Sequence, residues 1–212
     1  THVVKGTLIR NVMDYGATGN GSTDDTAAIN AAITAANGSS QKWVNFPSGT
    51  YKVSSSITVP AGVSLIAQNA TITTSFATGD VFTLGDTCQM RGFSFATSVT
   101  RTSGACVLVT GAQVYLDHLT FSGNVFIGVQ VGTTATKASL TRVSDVTFYT
   151  MTNSLTNAGG IFLCNVSDAR VRNVTGTGSG ATGQVDYGIR VWEGDTWFID
   201  NVNMVRMGQI GR

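Results

Sequence analysis

The sequence predicts an all-β protein built as a single-stranded parallel β-helix of about six or more coils, with one capping α-helix near its start. Three observations predict it. Eight-residue segments of one pattern recur, and their last residues fall at 72, 95, 121, 148, 176 and 204, giving spacings of 23, 26, 27, 28 and 28 residues. A drifting period of about 26 is the length of one coil of a solenoid. Within each segment the first, third, sixth and eighth columns are mostly apolar and those between them mostly polar, the alternation of a strand with one buried face. The composition agrees: 25 Gly, 2 Pro, only 12% charged residues and a single glutamate, Glu193. A long surface helix carries alternating Glu and Lys, so their scarcity favours sheets joined by short Gly, Asn and Ser turns.

The 212 residues suffice for one domain with a continuous core. They are read as one folding unit, with an N-terminal segment and capping helix in 1–40 and the β-helix in 41–212. A formal charge of +1 provides no field to draw nucleic acid or an anionic membrane, so neither is expected as a partner. A sugar fits better. No run of about 18 apolar residues occurs, and the first residues lack the basic-then-apolar pattern of a signal peptide, so a soluble chain with any targeting segment already removed is expected. Cys88, Cys106 and Cys164 are odd in number, lack the close pairing of a zinc site and sit in apolar runs, which predicts buried free thiols. No metal and no cofactor is expected.

The first element is the helix. TDDTAAINAAITAANG (23–38) offers Thr23 or Asp24 as cap, acids for the first turn and Gly38 as stop, predicting a helix over 24–37. Ala28, Ile29, Ala32, Ile33 and Ala36 form one narrow apolar stripe, which suits a lid over the exposed end of a first coil.

The coils follow. LIAQNATI (65–72), CQMRGFSF (88–95), VYLDHLTF (114–121), TRVSDVTF (141–148), ARVRNVTG (169–176) and WFIDNVNM (197–204) align without internal gaps. Ala67, Met90, Leu116, Val143, Val171 and Ile199 fill the third column, and Ala70, Phe93, Leu119, Val146, Val174 and Val202 the sixth. Both should stack inward, one coil above the next at about 4.8 Å. Asn69, Gly92, His118, Asp145, Asn173 and Asn201 form the fifth column, where the pattern turns a corner and a left-handed backbone is required. A second strand per coil reads VFTL (81–84), VLV (107–109), VQV (129–131), IFL (161–163) and IRV (189–191), with Thr83, Leu108, Gln130, Phe162 and Arg190 expected outward. No second lid follows the last repeat, which predicts either a partner chain over that end or a fragment of a longer protein.

NVMDYGATGNGSTDDTAAINAAI (11–33) and VNFPSGTYKVSSSITVPAGVSLI (44–66) closely resemble the opening of the pectate-lyase-like superfamily domain, shared by bacteriophage tailspikes and polygalacturonase-type glycosidases. The resemblance implies a right-handed β-helix, a homotrimer in phage, that attaches to bacterial surface polysaccharide alongside other virion tail proteins. The implied location is the virion, or the extracellular space for a secreted relative. YLDHLTF (115–121) is similar to a Trp-Ile-Asp-His stretch of pectate lyases through Tyr115, Asp117 and His118. The family's polygalacturonase signatures, and the calcium cluster and catalytic Arg motif of the lyases, have no counterpart here.

For chemistry, glycoside cleavage by two carboxylates needs an acid of raised pKa and a second group about 5–9.5 Å away. The densest cluster of acids and aromatics is DYGIRVWEGD (186–195), so Glu193, Asp195 and Asp186 are the catalytic candidates. Trp192, Arg190 and Tyr187 are the substrate-binding candidates, Trp192 on the outward side of its strand and suited to stacking on a sugar. Trp197 falls in an apolar column and is expected in the core. His118 and Asp145, one coil apart in the corner column, form either a proton-transfer pair or part of a hydrogen-bonded turn ladder. GATGNG (16–21) precedes a helix but lacks the Lys of a nucleotide loop and is read as a structural turn. Activity stays open: the chain is a glycan-binding module that also depolymerises, an inert trimeric stalk, or a secreted lyase or hydrolase.

Overall fold

The computed structural model describes residues 9–152, 155–178 and 186–205. It is a parallel β-helix of about six turns with very little helix. Two sheets run along it. The short-strand sheet stacks Ile57–Val59, Phe82–Leu84, Ala105–Val109, Ile127–Val131, Gly159–Leu163 and Tyr187–Val191 in sequence order. The long-strand sheet stacks Ser64–Thr74, Gln89–Thr97, Tyr115–Gly123, Arg142–Met151, Val166–Gly178 and Gly194–Val205, again in order and all parallel. Each long strand is two straight runs joined at the corner column.

That corner behaves as its residue types demand. Asn69, His118, Asp145, Asn173 and Asn201 have φ between 51° and 57°, and Gly92 has φ 80°. A left-handed residue with a Cβ costs about 1–2 kcal/mol, least for Asn and Asp, whose short polar side chains bond locally. Here they bond to one another: Asn201 Nδ2 donates to Asn173 Oδ1 at 2.8 Å, and Asn173 Nδ2 to Asp145 Oδ1 at 3.1 Å. At Gly92 a Cβ would lie 2.6 Å from the Ala67 carbonyl oxygen, so glycine is also a steric requirement.

Inside, the stacked columns close the core. Met90, Leu116, Val143 and Val171 are buried, as are Phe93, Leu119, Val146 and Val174. In the eighth column the rings of Phe95 and Phe121 stack at 5.1 Å and 10°, and those of Phe121 and Phe148 at 5.2 Å and 18°. Such pairs add about 0.5–1.5 kcal/mol each beyond their burial. Cys88, Cys106 and Cys164 are buried and free, as expected; burial pushes the Cys106 thiol up to about 12.

Four expectations need correction. The helix is Thr26–Asn37 and begins two residues late, with no acid in its first turn. Asp25 occupies the cap position, but its carboxylate turns back to accept from the Thr18 and Gly19 amides and the Thr18 hydroxyl. That carboxylate therefore takes the amides a phosphate would need. Asp24 accepts instead from Thr26 N at 3.0 Å, and from the hydroxyls of Thr26 and Ser54. The stripe stands, since Ile29, Ala32, Ile33 and Ala36 are buried.

The second correction concerns the first coil. Leu65, not Ala67, pairs with Met90, while Ala70, Thr71 and Ile72 keep the expected partners Phe93, Ser94 and Phe95. The corner there is two residues longer, so Leu65 is buried and Ala67 is half-buried. The third is Trp197, which is 48% exposed rather than core. Its column is filled below by Val114, Thr141 and Ala169, and the register shifts between Ser167 and Ala169, so an indole has no slot to enter. In the outward row Thr83, Gln130, Phe162 and Arg190 are partly exposed as expected, whereas Leu108, the fourth, is buried at 8% exposure.

Among the described residues no helix is long and apolar enough to cross a membrane. Residues 206–212, and with them most of the chain after the last repeat, lie outside the described residues.

Candidate functional site

The outer face of the short-strand sheet gathers the binding candidates. Register sets Gln130 beside Phe162 and Phe162 beside Arg190, three coils deep, while Tyr187 lies beside Gly159. The close approach is built on that glycine: a Cβ at Gly159 would lie 2.3 Å from the Tyr187 ring. The Arg190 guanidinium carbon lies 5.6 Å from the Phe162 ring centre, 5.9 Å from that of Tyr187 and 5.0 Å from that of Trp192. A guanidinium within about 6 Å of an aromatic face is held by the ring quadrupole. It is aimed further by a hydrogen bond from its Nη1 to Asn157 Oδ1 at 2.7 Å.

These side chains line a hollow of about 310 Å³, together with Gln130, Thr133, Thr134 and Cys164. Tyr187 is only 4% exposed, and burial holds its phenol well above the ordinary value, so it is a neutral wall. Trp192 is 57% exposed, its indole presented to solvent at the rim. The arrangement offers an aromatic platform, a guanidinium and amide and hydroxyl groups in one place, the means by which a site stacks on a sugar ring and bonds its hydroxyls.

The three acids do not join them. Asp186 Oδ2 accepts from the Asn157 amide at 3.0 Å and thereby holds the turn that carries Asn157. Asp195 pairs with Lys137 at 2.5 Å, and that hydrogen bond keeps its carboxyl below the ordinary value. Glu193 is exposed, and its backbone carbonyl accepts from Val166 N at 3.1 Å. None of the three lines the hollow. The structure thus brings Trp192, Arg190 and Tyr187 together in one hollow and leaves Glu193, Asp195 and Asp186 as separate turn and surface groups.

His118 and Asp145 do meet. Together with Asp117 their ligand atoms lie within 4.8 Å of one another, the spacing at which a cation can be held. Asp117 is already engaged, by His118 Nδ1 at 2.8 Å, Arg91 Nε at 3.1 Å and Ser144 Oγ at 2.8 Å. Burial works to raise the Asp117 carboxyl, but the hydrogen bonds from Ser144 and His118 and the nearby charges outweigh it and leave it below the ordinary value. With Asp145 bonded to Asn173, the turn-ladder reading describes this cluster best.

Comparison with known proteins places the chain. The family model described as rhamnogalacturonase A/epimerase, pectate lyase-like, matches residues 9–209. The chain belongs to that family. Among curated relatives, Alginate lyase 7 of Azotobacter vinelandii is 47% identical over 62 residues, covering 29% of this chain and 7% of that protein. The fold of this pectate lyase-like chain is shared with the surface adhesin PfbA of Streptococcus pneumoniae, at 17% identity and a TM-score of 0.72, over 92% of this chain and 57% of that one. It is shared also with ORF18 of Geobacillus virus E2, at 15% identity and a TM-score of 0.51, over 93% of this chain and 59% of that one. The chain therefore spans a small part of the curated relative and little more than half of either structure.

Sequence reasoning missed Asn157, which reaches Arg190 from 33 residues earlier, and Lys137, which reaches Asp195 from 58 residues earlier. Both lie on connections between strands, where the repeat carries no signal. It also missed four arginines on the long-strand sheet. They stand in the second and fourth columns of the repeat, so the repeat itself carries their signal.

Proposed function

We propose that this chain is a polysaccharide-binding β-helix, and that it works as a tailspike or tail-fibre module attaching a bacteriophage to the surface polysaccharide of its host. The observation that carries the reading is the hollow in which the exposed indole of Trp192 lies over Arg190, with Phe162 and Tyr187 behind, Asn157 Oδ1 holding the guanidinium and Gln130 on the wall. Family membership and a fold shared with a bacterial adhesin and a viral protein support it. On this reading the protein is a homotrimer in the virion, in contact with other tail proteins, or is exported and extracellular.

Binding is supported better than cleavage. In the hollow no carboxylate stands among the described lining residues, and Asp195 and Asp186 are committed to Lys137 and Asn157. A glycan array of bacterial capsule and lipopolysaccharide fragments tests the function: binding of a defined subset supports it, and silence across the array contradicts it. The same fragments test depolymerisation through release of reducing or unsaturated ends. Loss of that release in Glu193→Gln, Asp195→Asn or Asp186→Asn would make the residue replaced part of a catalytic site. Mass in solution tests the trimer, which a strict monomer contradicts.

A further inference from the structure

We propose that the outer face of the long-strand sheet is a second, separate glycan site, and that it takes an anionic polysaccharide bearing carboxylate or sulfate groups. It rests on the reading of the chain as a polysaccharide-binding β-helix, but on none of the residues of the hollow. Two outward columns make the face. Gln89, Tyr115, Arg142, Arg170 and Phe198 follow one another coil by coil in the first, and Arg91, Asp117, Ser144, Arg172 and Asp200 in the second.

Between Gln89 and Arg172 the face is concave, with a hollow of about 400 Å³ lined by Arg91, Tyr115, Asp117, Arg142, Arg170 and Arg172 among others. A further hollow of about 380 Å³ continues it past Arg170 and Arg172 to Trp197 and Phe198. The two share both arginines, so one extended ligand along the helix axis would touch both.

The arginines are placed at a cost that a ligand would remove. Arg142 and Arg170 are direct register partners on adjacent strands, and like charges directly opposite one another destabilise a sheet. Arg170 has Asp168 at 3.4 Å, but Arg142 makes no ion pair among the described residues and rests over the Tyr115 ring at 5.4 Å. Arg91 and Arg172 reach Asp117 and Asp200 through Nε, at 3.1 and 4.0 Å. Their side chains stay open to solvent, at 61% exposure each. Among the described residues no hydrogen bond engages an η nitrogen of Arg91, Arg142, Arg170 or Arg172. Those forks match the two oxygens of a carboxylate or sulfate.

The remaining side chains select a sugar. Tyr115 and Phe198 are 41% and 52% exposed in the same column as Arg142 and Arg170, one ring at each end of the pair. They can stack on pyranose faces. Asp117, Asp168 and Asp200 interrupt the positive charge; they would repel a backbone charged at every unit, whereas they accept bonds from hydroxyl groups. With a whole-chain charge of +1 there is no broad field for nucleic acid either.

The test is retardation of the full chain in native gels cast with polygalacturonate, dextran sulfate or neutral dextran, with a single-stranded oligothymidylate as a further probe. Retardation by at least one of the two polyanions is expected, and which one answers separates carboxylate from sulfate recognition. Arg142→Gln with Arg170→Gln should weaken it roughly tenfold or more, since two charge-assisted forks are lost. Trp192→Ala should leave it unchanged, so failure of the aromatic hollow and failure of this face are told apart. Retardation of the wild type should also fade as NaCl rises, a readout that does not depend on a variant folding. The proposal is overturned by indifference to both polyanions, by salt-independent retardation, or by equal retardation of the folded double variant. Loss in Trp192→Ala alone, or equally tight oligothymidylate binding lost with the two arginines, would overturn it as well.

Discussion

Ile189 and Arg190 are neighbours on one strand and obey opposite rules. Along the inward column Val107, Val129, Ile161 and Ile189 succeed one another with hardly a change of type, because each must fill the same space over the one before. Along the outward row Thr83, Leu108, Gln130, Phe162 and Arg190 differ at every coil. The interior is constrained by stacking, and the exterior is free to vary. Function is therefore to be sought where the exterior stops being small and polar. On the short-strand sheet that occurs at Phe162, Tyr187, Arg190 and Trp192.

If the contrast is right, substitutions on the two sides fail differently. The largest effect is expected inside. Phe121→Ala breaks a three-ring stack and leaves a cavity, and should cost about 3–5 kcal/mol in chemical denaturation. Glycan binding by the folded fraction should persist. A corner residue comes next. Asn173→Ala keeps a Cβ at φ 51° and loses the bonds to Asp145 and Asn201, so a loss of about 1–2 kcal/mol is expected. Asn173→Gly should lose less, because glycine adopts the left-handed conformation freely.

On the outside the sign of the contrast reverses. Trp192→Ala should leave the denaturation midpoint within about 0.5 kcal/mol of wild type, yet lower glycan affinity roughly tenfold or more. Acid offers a smaller effect. Asp24 and Asp117 are both held below the ordinary 3.8. The stability they contribute is therefore present above about pH 3.8 and lost as pH falls below it through the folded values. Asp117→Asn should flatten that decline in a melting series. The smallest effect belongs to Asp195→Asn, whose pair with Lys137 lies at the surface, at 74% and 47% side-chain exposure. No measurable change in Tm is expected.

The same contrast explains what could be read from the residues. All six corner positions were legible, since only a few residue types tolerate a left-handed bend at every coil. The inward columns were legible from Met90 onward. The extra length at Leu65–Asn69 was not, because Leu65 and Ala67 are both apolar and alternation alone fits either register. Trp197 was misplaced by trusting its column over its volume. At the site, Tyr187, Arg190 and Trp192 were legible as a cluster on and just past one strand. Asn157 and Lys137 were not, since they arrive from connections of variable length. The arginine face escaped for a different reason: its columns satisfy the alternation simply by being polar, and alternation does not register that Arg142 stands directly above Arg170.

The most direct test of a glycan site at the aromatic hollow is calorimetric titration of the full chain with a bacterial surface oligosaccharide that it binds, in parallel with Trp192→Ala. The prediction is a saturable isotherm for the wild type, and an affinity lower by roughly tenfold or more for the equally stable variant. Identical isotherms for the two proteins would contradict it.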